Sequence, residues 1–104
     1  MPPESVSIRK LRAIPLPDMK RVTVEMELSS FVEHPNLDIT ILSPKGEVVA
    51  NMFVVEARDQ VMALTLHPRQ PEPEALYTAR LAVLKEEEIL DQHEVTFILS
   101  KGEG

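Results

Sequence analysis

From residue 22 to residue 28 the chain reads Val22-Thr23-Val24-Glu25-Met26-Glu27-Leu28, apolar and polar side chains in strict alternation. A period of two sends alternate residues to opposite faces of a strand, one towards a core and one towards water. The period returns at 37–42, where Leu37, Ile39 and Ile41 alternate with Asp38 and Thr40. It returns at 60–67, with Met62, Leu64 and Leu66 on one face, and at 76–84, with Tyr77, Ala79, Leu81 and Val83 inward. Near the end Val95, Phe97 and Leu99 share a face. Two less regular runs, 6–14 and 47–56, complete seven predicted strands. No segment carries a competing helical period.

Turn residues separate these runs. Pro15-Leu16-Pro17-Asp18 ends the first strand, because proline has no N–H for a ladder. Ser43-Pro44-Lys45-Gly46 sets Pro and Gly where turns want them. The segments 31–36 and 68–74 read as loops, the second held stiff by Pro68, Pro71 and Pro73, and Glu86-Glu87-Glu88 reads as the turn into the last strand. Short strands with turn signals every 8–12 residues or about that describe an all-β fold, an immunoglobulin-like antiparallel β-sandwich of about seven strands. The 104 residues hold no internal repeat, so 1–104 is expected to be one domain with short flexible ends at about 1–4 and 101–104.

Composition narrows the chemistry. Only Phe31, Phe53, Tyr77 and Phe97 are aromatic, so the core must be built from Val, Leu, Ile and Met. The chain has no cysteine, which removes disulfides, thiolate metal sites and cysteine nucleophiles together. Three glycines leave no phosphate-cradling loop. The net charge of −6 is concentrated in the second half, where residues 53–104 hold five Lys and Arg against ten Asp and Glu. An acidic chain without a basic stripe is not expected to bind nucleic acid or an anionic membrane surface. Its one basic cluster, Arg9, Lys10, Arg12, Lys20 and Arg21, has no aromatic interleaving and reads as solvated strand faces. With no apolar run long enough for a leader or a membrane span, the expected compartment is the cytoplasm.

The run Pro73-Glu74-Ala75-Leu76-Tyr77-Thr78-Ala79-Arg80-Leu81 adds a resemblance. It is similar to the start of the penultimate strand in immunoglobulin-like and fibronectin type III-like domains. There a tyrosine opens the strand and its hydroxyl bonds back to nearby backbone, the tyrosine corner. Tyr77 matches that tyrosine, and Ala79 stands where an immunoglobulin domain carries its second cysteine. Leu66-His67-Pro68 likewise resembles the end of the preceding strand in fibronectin-type modules. The chain departs from both families in having no Trp and no cysteine pair. The resemblance implies a binding domain without catalytic residues.

Catalytic and metal chemistry find no other footing. His34, His67 and His93 lack the i, i+2 or i, i+4 partner that puts two ligands on one face, and Asp91, His93 and Glu94 read more simply as the polar start of a strand. There is no Gly-x-Ser-x-Gly elbow. The glutamates at 86–88 read as a solubilising hairpin tip rather than a calcium site, since no tight turn gathers ligands round a point. No enzyme, cofactor or metal is therefore expected.

One segment breaks the alternation. In Val48-Val49-Ala50-Asn51-Met52-Phe53-Val54-Val55, seven of eight residues are apolar. If the even-numbered residues face the core, Val49, Asn51, Phe53 and Val55 point away from it. Either the strand crosses between sheets, is covered by a loop or is re-aimed by a bulge, or it presents an apolar strip at a sheet edge. Such a strip marks a homodimer seam or a docking site for an extended peptide. The expected function is thus a non-catalytic protein-interaction module that self-associates or docks a protein partner through this strand. The alternative is a small-ligand or carbohydrate-binding domain using its end loops, with Phe31, His34 and Pro35 as the site.

Overall fold

The computed structural model describes residues 6–18 and 20–99; the ends expected to be flexible lie outside them. The described residues form seven strands and no helix: β1 (Ile8–Pro15), β2 (Val22–Leu28), β3 (Asn36–Leu42), β4 (Val48–Val54), β5 (Val61–Leu66), β6 (Leu76–Lys85) and β7 (Glu88–Ile98). They make two antiparallel sheets, one ordered β1-β2-β5 and the other β4-β3-β6-β7. The fold is the expected all-β sandwich.

Alternation does the sorting. From the first sheet Val22, Val24, Met26 and Leu28 enter the core; from the second come Leu37, Ile39, Ile41, Tyr77, Ala79, Leu81 and Val83, all essentially without solvent exposure. Tyr77 and Phe97 stack at 5.7 Å between ring centres. The Tyr77 hydroxyl accepts the Glu72 N–H at 2.8 Å, so the tyrosine corner is formed. That bond anchors the loop before β6 to the one polar atom of a buried aromatic.

Two strand limits differ from the sequence reading. β1 begins at Ile8 and runs through Pro15, which pairs with Val22. An edge strand needs donors on one side only, so the proline is tolerated there. β7 begins at Glu88, directly after a two-residue turn at Glu86 and Glu87, with Glu86 at φ 56°. Asp91, His93 and Glu94 therefore lie inside a long edge strand rather than at its start, and Arg80 on β6 meets Glu94 at 2.8 Å. Polar residues do not interrupt pairing on a strand whose outer side is wet.

The sandwich closes unevenly at its two sides. β1 lies along β7, and the Ile8 N–H donates to Asp91 Oδ2 at 2.7 Å from one sheet to the other. On the opposite side β4 and β5 touch only briefly.

Candidate functional site

The irregular strand is β4, at the edge of the four-stranded sheet. Its start is set by the turn before it. The Gly46 N–H donates to the Ser43 carbonyl at 2.9 Å, the Ser43 N–H to the Glu47 carbonyl at 2.8 Å, and the Ser43 hydroxyl accepts the Glu47 N–H at 3.2 Å. Gly46 takes φ +85°, which an L side chain rarely adopts. Past the turn Leu42 pairs with Val48 but Ile41 pairs with Ala50, so Val49 is an inserted residue. This bulge re-aims the strand.

The consequence for the expected face is specific. Asn51, Phe53 and Val55 do point outward, with Phe53 52% and Val55 65% exposed. Val49 does not: it is half-buried and packs on the core with Ala50, Met52 and Val54, while Val48 takes the outward place. Seven apolar residues in eight are thus shared between two faces by one extra residue, which no periodicity in the sequence announces.

On the outer face of this sheet the register sets Phe53 beside Asp38 and Asn51 beside Thr40. The Asn51 side-chain N–H donates to Asp38 Oδ1 at 2.6 Å and to Thr40 Oγ1 at 3.0 Å. With the Arg80–Glu94 pair one strand further, a polar belt crosses the middle of the sheet. Apolar residues lie on both sides of it: Phe53, Val55 and Ile89 towards one end, Val48, Leu76 and Ile98 towards the other. The outer face of the three-stranded sheet is different in kind. There Lys10 pairs across from Glu27, Arg12 meets Glu25 at 3.4 Å, and Thr23 meets Thr65 at 3.1 Å. Opposite charges on neighbouring strands make that face a solvated one, and they account for much of the basic cluster.

The four edge strands divide the same way. β1 carries Arg9, Lys10 and Arg12 and ends in Pro15, and β7 carries Glu88, Asp91 and Glu94. β4 and β5, on the open side, carry no charge at all. Charged and proline-bearing edges resist strand addition, and uncharged ones do not. β4 is protected over its first residues only. The Arg69 N–H donates to the Val49 carbonyl at 2.9 Å, and Arg69 Nη2 to the Val48 carbonyl at 2.8 Å. Beside this cap a groove of about 470 Å³ opens between the sheets, lined in part by Val49, Ala50, Met52, Leu66, His67 and Arg69.

The three end-loop residues differ in exposure. Pro35 is fully buried, and its carbonyl accepts the Ala57 N–H at 2.8 Å. Phe31 packs against the core and meets His34 edge-on at 6.0 Å, leaving His34 as the exposed member of the three. Among the described residues no group of His, Asp and Glu lies close enough together to hold a metal ion. His93 Nε2 does approach Asp91 Oδ2 at 3.6 Å, beside the Ile8 amide.

No family model matches this chain, and no curated protein matches it in sequence. Solved structures do share its shape. A glycosyl hydrolase family 2 member from Bacteroides cellulosilyticus superposes with a TM-score of 0.69 at 14% identity, over 90% of this chain and 14% of that one. A Bifidobacterium dentium beta-glucuronidase complexed with coumarin-3-O-glucuronide gives 0.66 at 16% identity, over 92% of this chain and 18% of that one. The Ruminococcus gnavus beta-glucuronidase gives 0.58 at 17%, over 89% and 16%. The likeness is one of fold. This chain spans less than a fifth of the length of each of these glycosidases, so the sandwich is a small part of them.

Proposed function

We infer that this chain is a non-catalytic protein-interaction module that docks a protein strand on the free edge of β4, with Phe53 and Val55 as the apolar contact beside it. The observation that carries this reading is the pairing of an uncharged, half-uncapped edge with exposed apolar side chains, in a molecule whose β1 and β7 edges are charged. Backbone groups along such an edge supply affinity without regard to partner sequence, and the side chains that flank it supply the selection. Burying Phe53 and its valine neighbours contributes on the order of 4–7 kcal/mol before the costs of association, enough for a modest, reversible contact. Similar sandwiches that form a minor part of far larger chains support the same picture, of a unit that attaches rather than one that reacts.

The test compares wild type with Phe53→Lys, whose fold is checked by circular dichroism, as bait in extract of the source organism. Any recovered protein is then titrated in purified form. A partner bound by wild type and released by Phe53→Lys is the expected result. Equal binding by both moves the site elsewhere, and no binding by either removes the docking function.

A further inference from the structure

β4 has a second row of hydrogen-bonding groups besides the one that faces β3. The Val49 carbonyl accepts the Arg69 amide from outside the sheet, so it points to the free edge. Strand alternation sends the N–H and C=O of Asn51 and Phe53 to that edge, and those of Ala50, Met52 and Val54 towards β3. The open groups thus sit on two residues flanking Met52, which is the arrangement a twofold axis requires.

We propose that the strand docked on β4 is β4 of a second copy of this chain, antiparallel, with the axis through Met52. The proposal rests on the docking reading above and names its partner. Asn51 of each copy lies opposite Phe53 of the other, and each such pair exchanges both backbone hydrogen bonds. Ala50 lies opposite Val54, so the half-buried residues of the two copies cover one another.

The ends of the strand fit the same partner. The free stretch 50–54 is bounded on one side by the Arg69 cap and on the other by Glu56, whose φ of 53° turns the chain away. Antiparallel pairing brings the turning end of one copy to the cap of the other, so neither strand runs into the loop. It also places Glu56 of one copy opposite Val48 of the other, beside the guanidinium that bonds the Val48 carbonyl. Opposite charges meet at both ends. A chain with a net charge of −6 repels its copies elsewhere, and 48–55 is a stretch through which they approach without that penalty. A contact this short is concentration-dependent rather than permanent.

The chain has no cysteine, so Met52→Cys introduces a single thiol. Two residues facing on the axis form a non-hydrogen-bonded pair with Cα atoms about 4.5 Å apart, within reach of a disulfide. Under mild oxidation Met52→Cys is expected to form a covalent dimer, and Ala63→Cys on β5 to remain monomeric. Sedimentation of the unmodified chain over a range of concentrations is expected to show a reversible monomer–dimer equilibrium, weakened about tenfold by Glu56→Arg. The exposed Glu56 position keeps the test decisive even where a cysteine variant fails to fold. A chain that stays monomeric at every concentration overturns self-pairing and leaves the docking reading to the Phe53→Lys comparison. A dimer unaffected by Glu56→Arg, or one cross-linked by Ala63→Cys and not by Met52→Cys, overturns the β4 register.

Discussion

The Ile8 amide donates to Asp91 Oδ2 at 2.7 Å, tying the edge of one sheet to the edge of the other. Both strands are edges of their own sheets, and the bond satisfies a donor that no neighbouring strand would reach. It closes one side of the sandwich, so the uncharged strands β4 and β5 are left to form the open side.

Replacing Asp91 by Ala removes that acceptor and strands the Ile8 N–H at a half-buried position. The expected cost is about 1–3 kcal/mol, read from the midpoint of denaturant unfolding. Amide exchange at Ile8 should accelerate in the same variant. An unchanged midpoint with slow exchange would mean that packing alone holds the seam.

Tyr77→Phe keeps the ring stacked on Phe97 and deletes only the hydroxyl that accepts the Glu72 N–H. A loss of about 1–3 kcal/mol is expected for an unpaired donor. That corresponds to a fall in Tm of several degrees, at roughly 4–8 °C per kcal/mol for a domain of about this size. A Tm within a degree of wild type would show that the corner bond contributes nothing net.

Leu81 on β6 and Phe53 on β4 belong to the same sheet, with β3 between them, but face opposite sides of it. Leu81 has no solvent exposure, and Leu81→Ala should cost about 2–5 kcal/mol. Phe53 is half exposed, and Phe53→Lys should change stability by no more than about 1 kcal/mol. Thermal unfolding of the two variants side by side separates core from contact surface. Comparable losses would place Phe53 in the core and remove it from any interface.

Asp18 is the fourth test. The Lys20 backbone N–H at 2.9 Å and, secondarily, the Arg21 guanidinium at 2.8 Å hold its carboxyl below the ordinary value of 3.8. A carboxylate depressed in the folded state stabilises fully above its unfolded value, and the contribution is lost as pH falls through the folded one. Asp18→Asn should therefore shallow the acid limb of the stability profile below about pH 4 and leave its neutral plateau little changed in shape. Equal acid slopes for wild type and variant would show that this turn is not held in the folded state.

Legibility in the sequence followed burial. The runs at 22–28, 37–42 and 76–84 alternate because each has one face in a dry core, and their inward residues were readable one by one. Tyr77 was readable from its short local motif. Val49 was not, because a bulge is a property of two paired strands and neither strand alone records it. Nor was the burial of Pro35, which depends on an amide 22 residues away at Ala57. Glu88 looks like part of a turn, and Asp91 to Glu94 like the polar start of a strand, until β7 is seen to be one long edge whose outer side is wet.

By itself the sequence determined the class of fold, the strand count and the largely aliphatic core, since all of these depend on local period and composition. Only the tertiary structure decided that β4 and β5 are edges on one open side, and that Arg69 caps one end of β4 while the backbone of Asn51 and Phe53 is left at the free edge. Strand neighbours are chosen by packing between segments distant in the chain. Which edge is left unpaired is therefore a property of the whole sandwich and of no segment within it.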